Sequence, residues 1–160
     1  MNEPKKLIDT PSQTAGPFLH IGCAPRITGI NIFKIELGLT PFQDISDNEA
    51  INIKGKIYDG NGEPIIDAMI ETWQCDANGK YSSNQGFARI VTDFKTGEYQ
   101  LKTIRPGNKI NTDESLSASY ITFWIVARGM NRPLITRMYF LENDLRNDLF
   151  NKTVNMVSKI

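Results

Sequence analysis

The sequence predicts a mainly β protein: a β-sandwich of short, mostly antiparallel strands, with an N-terminal arm before it and a short C-terminal helix after it. Three observations carry this expectation. Apolar residues alternate at a period of two in short runs, turn-forming residues recur between those runs, and one run, Tyr120 to Ala127, is aromatic and β-branched almost throughout.

Residues 1 to about 50 differ from the rest, because Thr10-Pro11-Ser12-Gln13-Thr14-Ala15-Gly16-Pro17 punctuates a segment without sustained periodicity, and an extended arm or long loop is expected there. Ile51, Ile53, Gly55 and Ile57 then alternate up to the turn signal Asp59-Gly60-Asn61-Gly62. Ala68 to Gln74 carries Ala68 and Ile70 on one parity with Met69 and Trp73 on the other, as in a strand buried on both faces. Asn78-Gly79 supplies another turn. Phe87 to Thr92 and Glu98 to Ile104 flank Thr96-Gly97 and fit a hairpin, and Arg105-Pro106-Gly107 ends its second strand because proline cannot extend a ladder. A looser stretch, 108 to 118, leads into the strong strand at 120–127, and Leu134 to Phe140 follows as one more. Leu141, Leu145 and Leu149 fall four apart, which places them on one face of a short terminal helix.

The 160 residues suit one domain spanning 1–160, with the arm and loops occupying 1–50. Basic and acidic residues balance at 18 each, so no global field draws the chain toward nucleic acid or an anionic membrane. No apolar run reaches the roughly 18 residues a spanning helix needs, and a soluble, cytoplasmic protein is expected. Cys23 and Cys75 are the only cysteines, too few for a disulfide framework and too isolated for a zinc repeat.

His20 is the only histidine, which excludes metal centres built from several imidazoles of this chain. A triad would have to recruit it from the arm near Cys23, where the sequence offers nothing to orient either group. No phosphate-binding glycine loop or basic-aromatic surface is present. Glu71 and Asp93 show no convergent spacing, so solvated or turn-capping roles are expected of them. Arg128 closes the apolar run before Gly129, where a buried strand meets the surface. Such a guanidinium either clamps a carboxylate ligand or forms a structural ion pair, and the local pattern leaves both open.

Three stretches resemble one family: Thr10 to Phe18 with His20-Ile21-Gly22, Gly55 to Tyr81, and Val126-Ala127-Arg128-Gly129 through Thr136-Arg137-Met138-Tyr139-Phe140. They look like the intradiol ring-cleavage dioxygenases. Within that family the arm and the Ala-Arg-Gly strand end resemble alpha-type subunits of protocatechuate 3,4-dioxygenases, with Asp93-Phe94 and Thr103-Ile104-Arg105-Pro106-Gly107 adding to the likeness. The resemblance implies an oxidoreductase of aromatic catabolism that inserts dioxygen between two hydroxyl-bearing ring carbons. Its ferric iron is held by two tyrosines and two histidines of the catalytic subunit.

This chain departs from that iron site. Tyr120-Ile121-Thr122 stands at the His-x-His pair, Asn108-Lys109 follows Pro106-Gly107 where relatives carry a tyrosine, and the segment between Tyr81 and Gly86 is shortened. The expectation is an iron-free chain without catalytic residues or metal ligands of its own, inactive alone. It would pair with an iron-bearing beta subunit in a hetero-oligomer and complete the pocket for a catechol carboxylate. By the same resemblance Thr14, Gly16, Pro17 and Arg128 are substrate-binding residues, and Phe18 stands where relatives often carry tyrosine. Relatives also continue with further strands where this sequence ends at Val157-Ser158-Lys159-Ile160, so a sandwich short of edge strands is expected. Two alternatives remain open. A transthyretin-like, non-enzymatic binding or structural sandwich would share Gly55-x-x-x-Asp59-Gly60-x-Gly62-x-Pro64, and a homomeric relative that has lost its metal would share the fold.

Overall fold

A computed structural model describes residues 11, 13–16, 18–34, 38–110 and 116–140, with the backbone alone for 109–110 and 116–117. The helix expected over Leu141, Leu145 and Leu149 lies outside the described residues, as does Pro17.

Among the described residues eight strands form: β1 (Ala50–Lys56), β2 (Met69–Trp73), β3 (Phe87–Val91), β4 (Glu98–Ile104), β5 (Lys109–Ile110), β6 (Leu116–Ser117), β7 (Tyr120–Val126) and β8 (Leu134–Tyr139). One sheet pairs β1 with β4; a second runs β3-β2-β7-β8; β5 and β6 make a two-residue ribbon. All of these pairings are antiparallel. The expected β-sandwich is therefore found.

Strand alternation sets the core. Ile121, Phe123 and Ile125 of β7, with Ile70 of β2 and Ala88 and Ile90 of β3, meet Leu101 of β4 and the half-buried Ile53 and Tyr99. Tyr99 sets its ring edge-on to Phe123 at 6.2 Å, across the gap between the sheets. Burial of β2 on both faces holds only at its start. Met69 is buried on the outer face, but Glu71 is half-buried and Trp73 exposed, because the first binds Arg89 and the second stacks on Tyr81.

The expected hairpin of 87–92 with 98–104 does not form. The turn itself is tight: Asp93 Oδ1 accepts the Lys95 and Thr96 N–H groups, and the Asp93 N–H reaches Glu98 O at 2.8 Å. Beyond it the strands part, β3 joining β2 and β4 joining β1, so the turn is a crossover between sheets. Each strand thereby turns its core residues, Ala88 and Ile90 on one and Leu101 on the other, toward the facing sheet.

The arm holds more structure than an extended segment. It contains a six-residue helix, α1 (Phe18–Cys23), and a 3-10 turn, Pro25–Thr28. Proline begins the turn where its fixed φ fits, and Gly29 closes it in the left-handed region at φ 82°. Both pieces are too short to give a readable period. The arm is laid on the sandwich by polar bonds: Arg89 Nη1 donates to Cys23 O at 3.1 Å, the Arg89 N–H to Gly38 O at 2.8 Å, and the Gly86 N–H to Pro41 O at 2.7 Å.

Candidate functional site

At the end of β7 the chain leaves the core through Ala127, which is 2% exposed, and turns out at Arg128-Gly129. Gly129 takes φ 85°, which side chains with a Cβ rarely adopt. Its N–H donates to Thr14 Oγ1 at 2.7 Å, so the arm and the strand end are joined across 115 residues of sequence. Thr14, bonded to Gly129, is thus held one residue along the chain from Arg128. Gly16 lies two residues along, its carbonyl accepting the Leu19 N–H at 3.0 Å. A Cβ built on it would meet nothing within 4 Å, so its face is open. Pro17 is outside the described residues, and the neighbouring Phe18 is 78% exposed.

Arg128 forms the structural ion pair that its position at a strand end allows, and the pair leaves the rest of the guanidinium exposed. Its Nε donates to Asp67 Oδ2. The Arg128 side chain is 62% exposed while that of Asp67 is 15% exposed. Asp67 was not legible as part of this site. It sits in the turn before β2, 61 residues from Arg128, and no local pattern marks a pairing at that distance.

A cluster of aromatic side chains surrounds Tyr120, the residue that the resemblance sets at one of the family's ligand histidines. Trp73 and Tyr81 stack at 6.0 Å, the Tyr81 hydroxyl meets that of Tyr120 at 3.4 Å, and Tyr120 packs on Tyr139 at 5.8 Å. The Arg137 guanidinium lies 4.3 Å from the Tyr120 ring centre. Strand register builds this group, since Tyr120 faces Tyr139 and Thr122 lies between Trp73 and Arg137. Burial first, then the hydrogen bond to Tyr120, pushes the Tyr81 hydroxyl above its ordinary value of 10.0. The cluster offers phenol oxygens and a guanidinium but no imidazole, since His20, the chain's only histidine, lies against Phe94. These residues do not fit ferric iron, and among the described residues no three or more His, Cys, Asp or Glu converge.

Other candidates resolve into structural roles. Glu71 Oε1 accepts both Nε and Nη2 of Arg89, at 2.8 and 2.5 Å, and Asp93 caps its own turn. His20 is buried with its ring edge-on to Phe94 at 5.6 Å, and its Nε2 has no partner among the described residues. A cleft of about 650 Å³ opens between the arm and the β3 to β4 crossover, with Cys23, Ile27, Leu39, Phe94 and Tyr99 in its wall. Thr14, Gly16 and Arg128 do not line it, so volume and the polar site fall in different places. The polar site is the better candidate, because two distant segments converge there on an exposed cation. Among the described residues no helix is long and apolar enough to cross a membrane.

Comparison with known proteins places this architecture. The family model described as Dioxygenase matches residues 36–158, and the chain belongs to that family. Within it, the chain is similar to the protocatechuate 3,4-dioxygenase alpha chain of Pseudomonas putida, at 38% identity over 141 residues, covering 84% of this chain and 70% of the relative. A protocatechuate 3,4-dioxygenase beta chain of Burkholderia cepacia matches at 28% over 106 residues, covering 58% of this chain and 45% of that one. Among solved structures, catechol 1,2-dioxygenase from Pseudomonas arvilla C-1 superposes with a TM-score of 0.58 at 21% identity, over 66% of this chain and 40% of its own. That likeness concerns the fold. The expected resemblance to alpha-type subunits holds, and the transthyretin-like alternative is not favoured.

Proposed function

We propose that this chain is the non-iron-binding, alpha-type subunit of a protocatechuate 3,4-dioxygenase, a single domain that completes the substrate pocket of an iron-bearing beta subunit. The observation that carries the reading is the bond between Thr14 Oγ1 and the Gly129 N–H, which sets the arm beside an exposed arginine. The substrate class is a catechol carboxylate, and ferric iron in the partner supplies the activation of the ring and dioxygen.

This chain's own residues bind and orient. Arg128 offers N–H donors to the anionic substituent. Thr14 fixes the arm, and Gly16, with no side chain, leaves room for a flat ring beside the backbone. Pro17 completes the stretch in sequence. A charge-assisted bond from Arg128 to a carboxylate is worth about 1.5–3 kcal/mol once a partner shields it from water. Arg128→Ala in the hetero-oligomer is therefore expected to raise KM for protocatechuate by one to two powers of ten, and unchanged kinetics would return Arg128 to a purely structural ion pair.

The test of the reading as a whole is co-expression with a candidate beta chain, followed by co-purification, metal analysis and oxygen uptake on protocatechuate, with this chain alone as control. Iron and turnover only in the co-purified complex are the expected result. A chain that stays alone beside a folded partner, or that binds iron by itself, would overturn it.

A further inference from the structure

We infer that Asp67 is a positioning residue that aims the anion-binding edge of Arg128, an inference that rests on the reading of Arg128 as the substrate's carboxylate contact. A guanidinium carries five N–H donors in a rigid plane. Asp67 takes the one on Nε. Among the described residues the two terminal nitrogens make no hydrogen bond or ion pair, and the side chain is 62% exposed. With Nε taken, the Nη1–Nη2 edge is the pair of donors left to take a carboxylate bidentately.

The anchor is rooted in the wall of the sandwich. Asp67 is 15% exposed and immediately precedes Ala68, which is fully buried and whose N–H is held by Thr92 Oγ1 at 2.9 Å. On the other side, Thr14 holds the Gly129 N–H. The Arg128-Gly129 pair is thus fixed at its backbone by the arm and at its side chain by the start of β2. A long exposed side chain with neither support would lose more rotamer freedom on binding an anion, and Asp67 removes part of that loss in advance.

Asp67 also brings a negative charge close to the site, so a competing role as a plug on the guanidinium has the opposite kinetic sign. The experiment compares Asp67→Ala, Arg128→Ala and the double variant in the complex with the beta chain, using protocatechuate and unsubstituted catechol. Asp67→Ala is expected to raise KM for protocatechuate roughly two- to tenfold, the entropy of one immobilised side chain. It should hold kcat within about twofold and leave catechol kinetics unchanged. Added to Arg128→Ala it should cost nothing further, since both act through one guanidinium. In the chain alone, the Arg128 Nε–H resonance should exchange more slowly than that of the exposed Arg132 and lose that protection in Asp67→Ala. A raised KM in Arg128→Ala with none in Asp67→Ala overturns the positioning role while leaving the substrate contact standing. A lowered KM in Asp67→Ala makes Asp67 a plug and also overturns it. An unprotected Nε–H in the unaltered chain does the same without reference to catalysis.

Discussion

Tyr81 shows how burial and one neighbour set the behaviour of a single side chain here. Its hydroxyl is pushed up by burial and by Tyr120, so the fold favours the protonated phenol. Below the ordinary value of 10.0 the group keeps its proton folded or unfolded, and the shift is silent. Above it the unfolded chain releases a proton that the folded chain retains, so stability falls as pH rises. Tyr99, raised by burial, acts in the same direction. Tyr81→Phe keeps the stack on Trp73 and should flatten the fall in Tm from about pH 9.5 upward, measured by thermal scans across an alkaline series; a slope equal to that of the unaltered chain would locate the loss elsewhere. The departure at Tyr120 was legible, because the resemblance sets this tyrosine at a ligand histidine of the family. The stacked Arg137 was not, since register across β7 and β8 decides it. Asp67 was hidden for the same reason, its partner lying on a distant strand end.

Among the elements, the turn from Tyr81 to Gly86 does the most with the fewest residues. Gly86 takes φ 91°, its carbonyl accepts the Gln74 N–H at 3.0 Å, and its own N–H reaches Pro41 O. A Cβ there would stand 2.2 Å from Gln74 O, a backbone atom that cannot swing away. Gly86→Ala is therefore expected to cost at least about 1–3 kcal/mol, from the unfavourable φ and the clash together. Chemical denaturation reads that loss, and a midpoint within error of the unaltered chain would mean the turn re-forms at no cost. The sequence marked the segment as shortened without indicating what it holds. Strands were more legible than their partners: every run from Ile51 to Phe140 became a strand near its expected place, because period two is a local signal. The misread hairpin at Thr96-Gly97 shows the limit, since a turn dipeptide reports a reversal of the chain and leaves open which sheet receives the next strand.

At the scale of the molecule, the arm and the sandwich have separable roles. The buried core cluster draws on residues from Ala68 to Ala127, and among the described residues none of it comes from the arm. The arm adds links of its own: Thr14 to Gly129, Cys23 O to Arg89, the buried His20 edge-on to Phe94, and the buried Ala24 and Phe42. Arg89 keeps Glu71 when Cys23 is gone, so it is not left as an unpaired charge. Deleting residues 1 to 25 should therefore leave the β-sheet circular dichroism and a cooperative melt, with Tm lowered by several degrees or more as the bonds to Gly129 and Arg89 and the burial of His20 and Ala24 are lost. Turnover in the complex should suffer far more, because Thr14, Gly16 and Pro17 go together and Arg128-Gly129 loses its backbone support. A truncated chain that folds, joins the beta subunit and cleaves protocatechuate at the original rate would remove the arm from the pocket. A truncated chain that folds and joins but no longer supports turnover would set the arm's contribution at the substrate, with the sandwich as the frame that presents it.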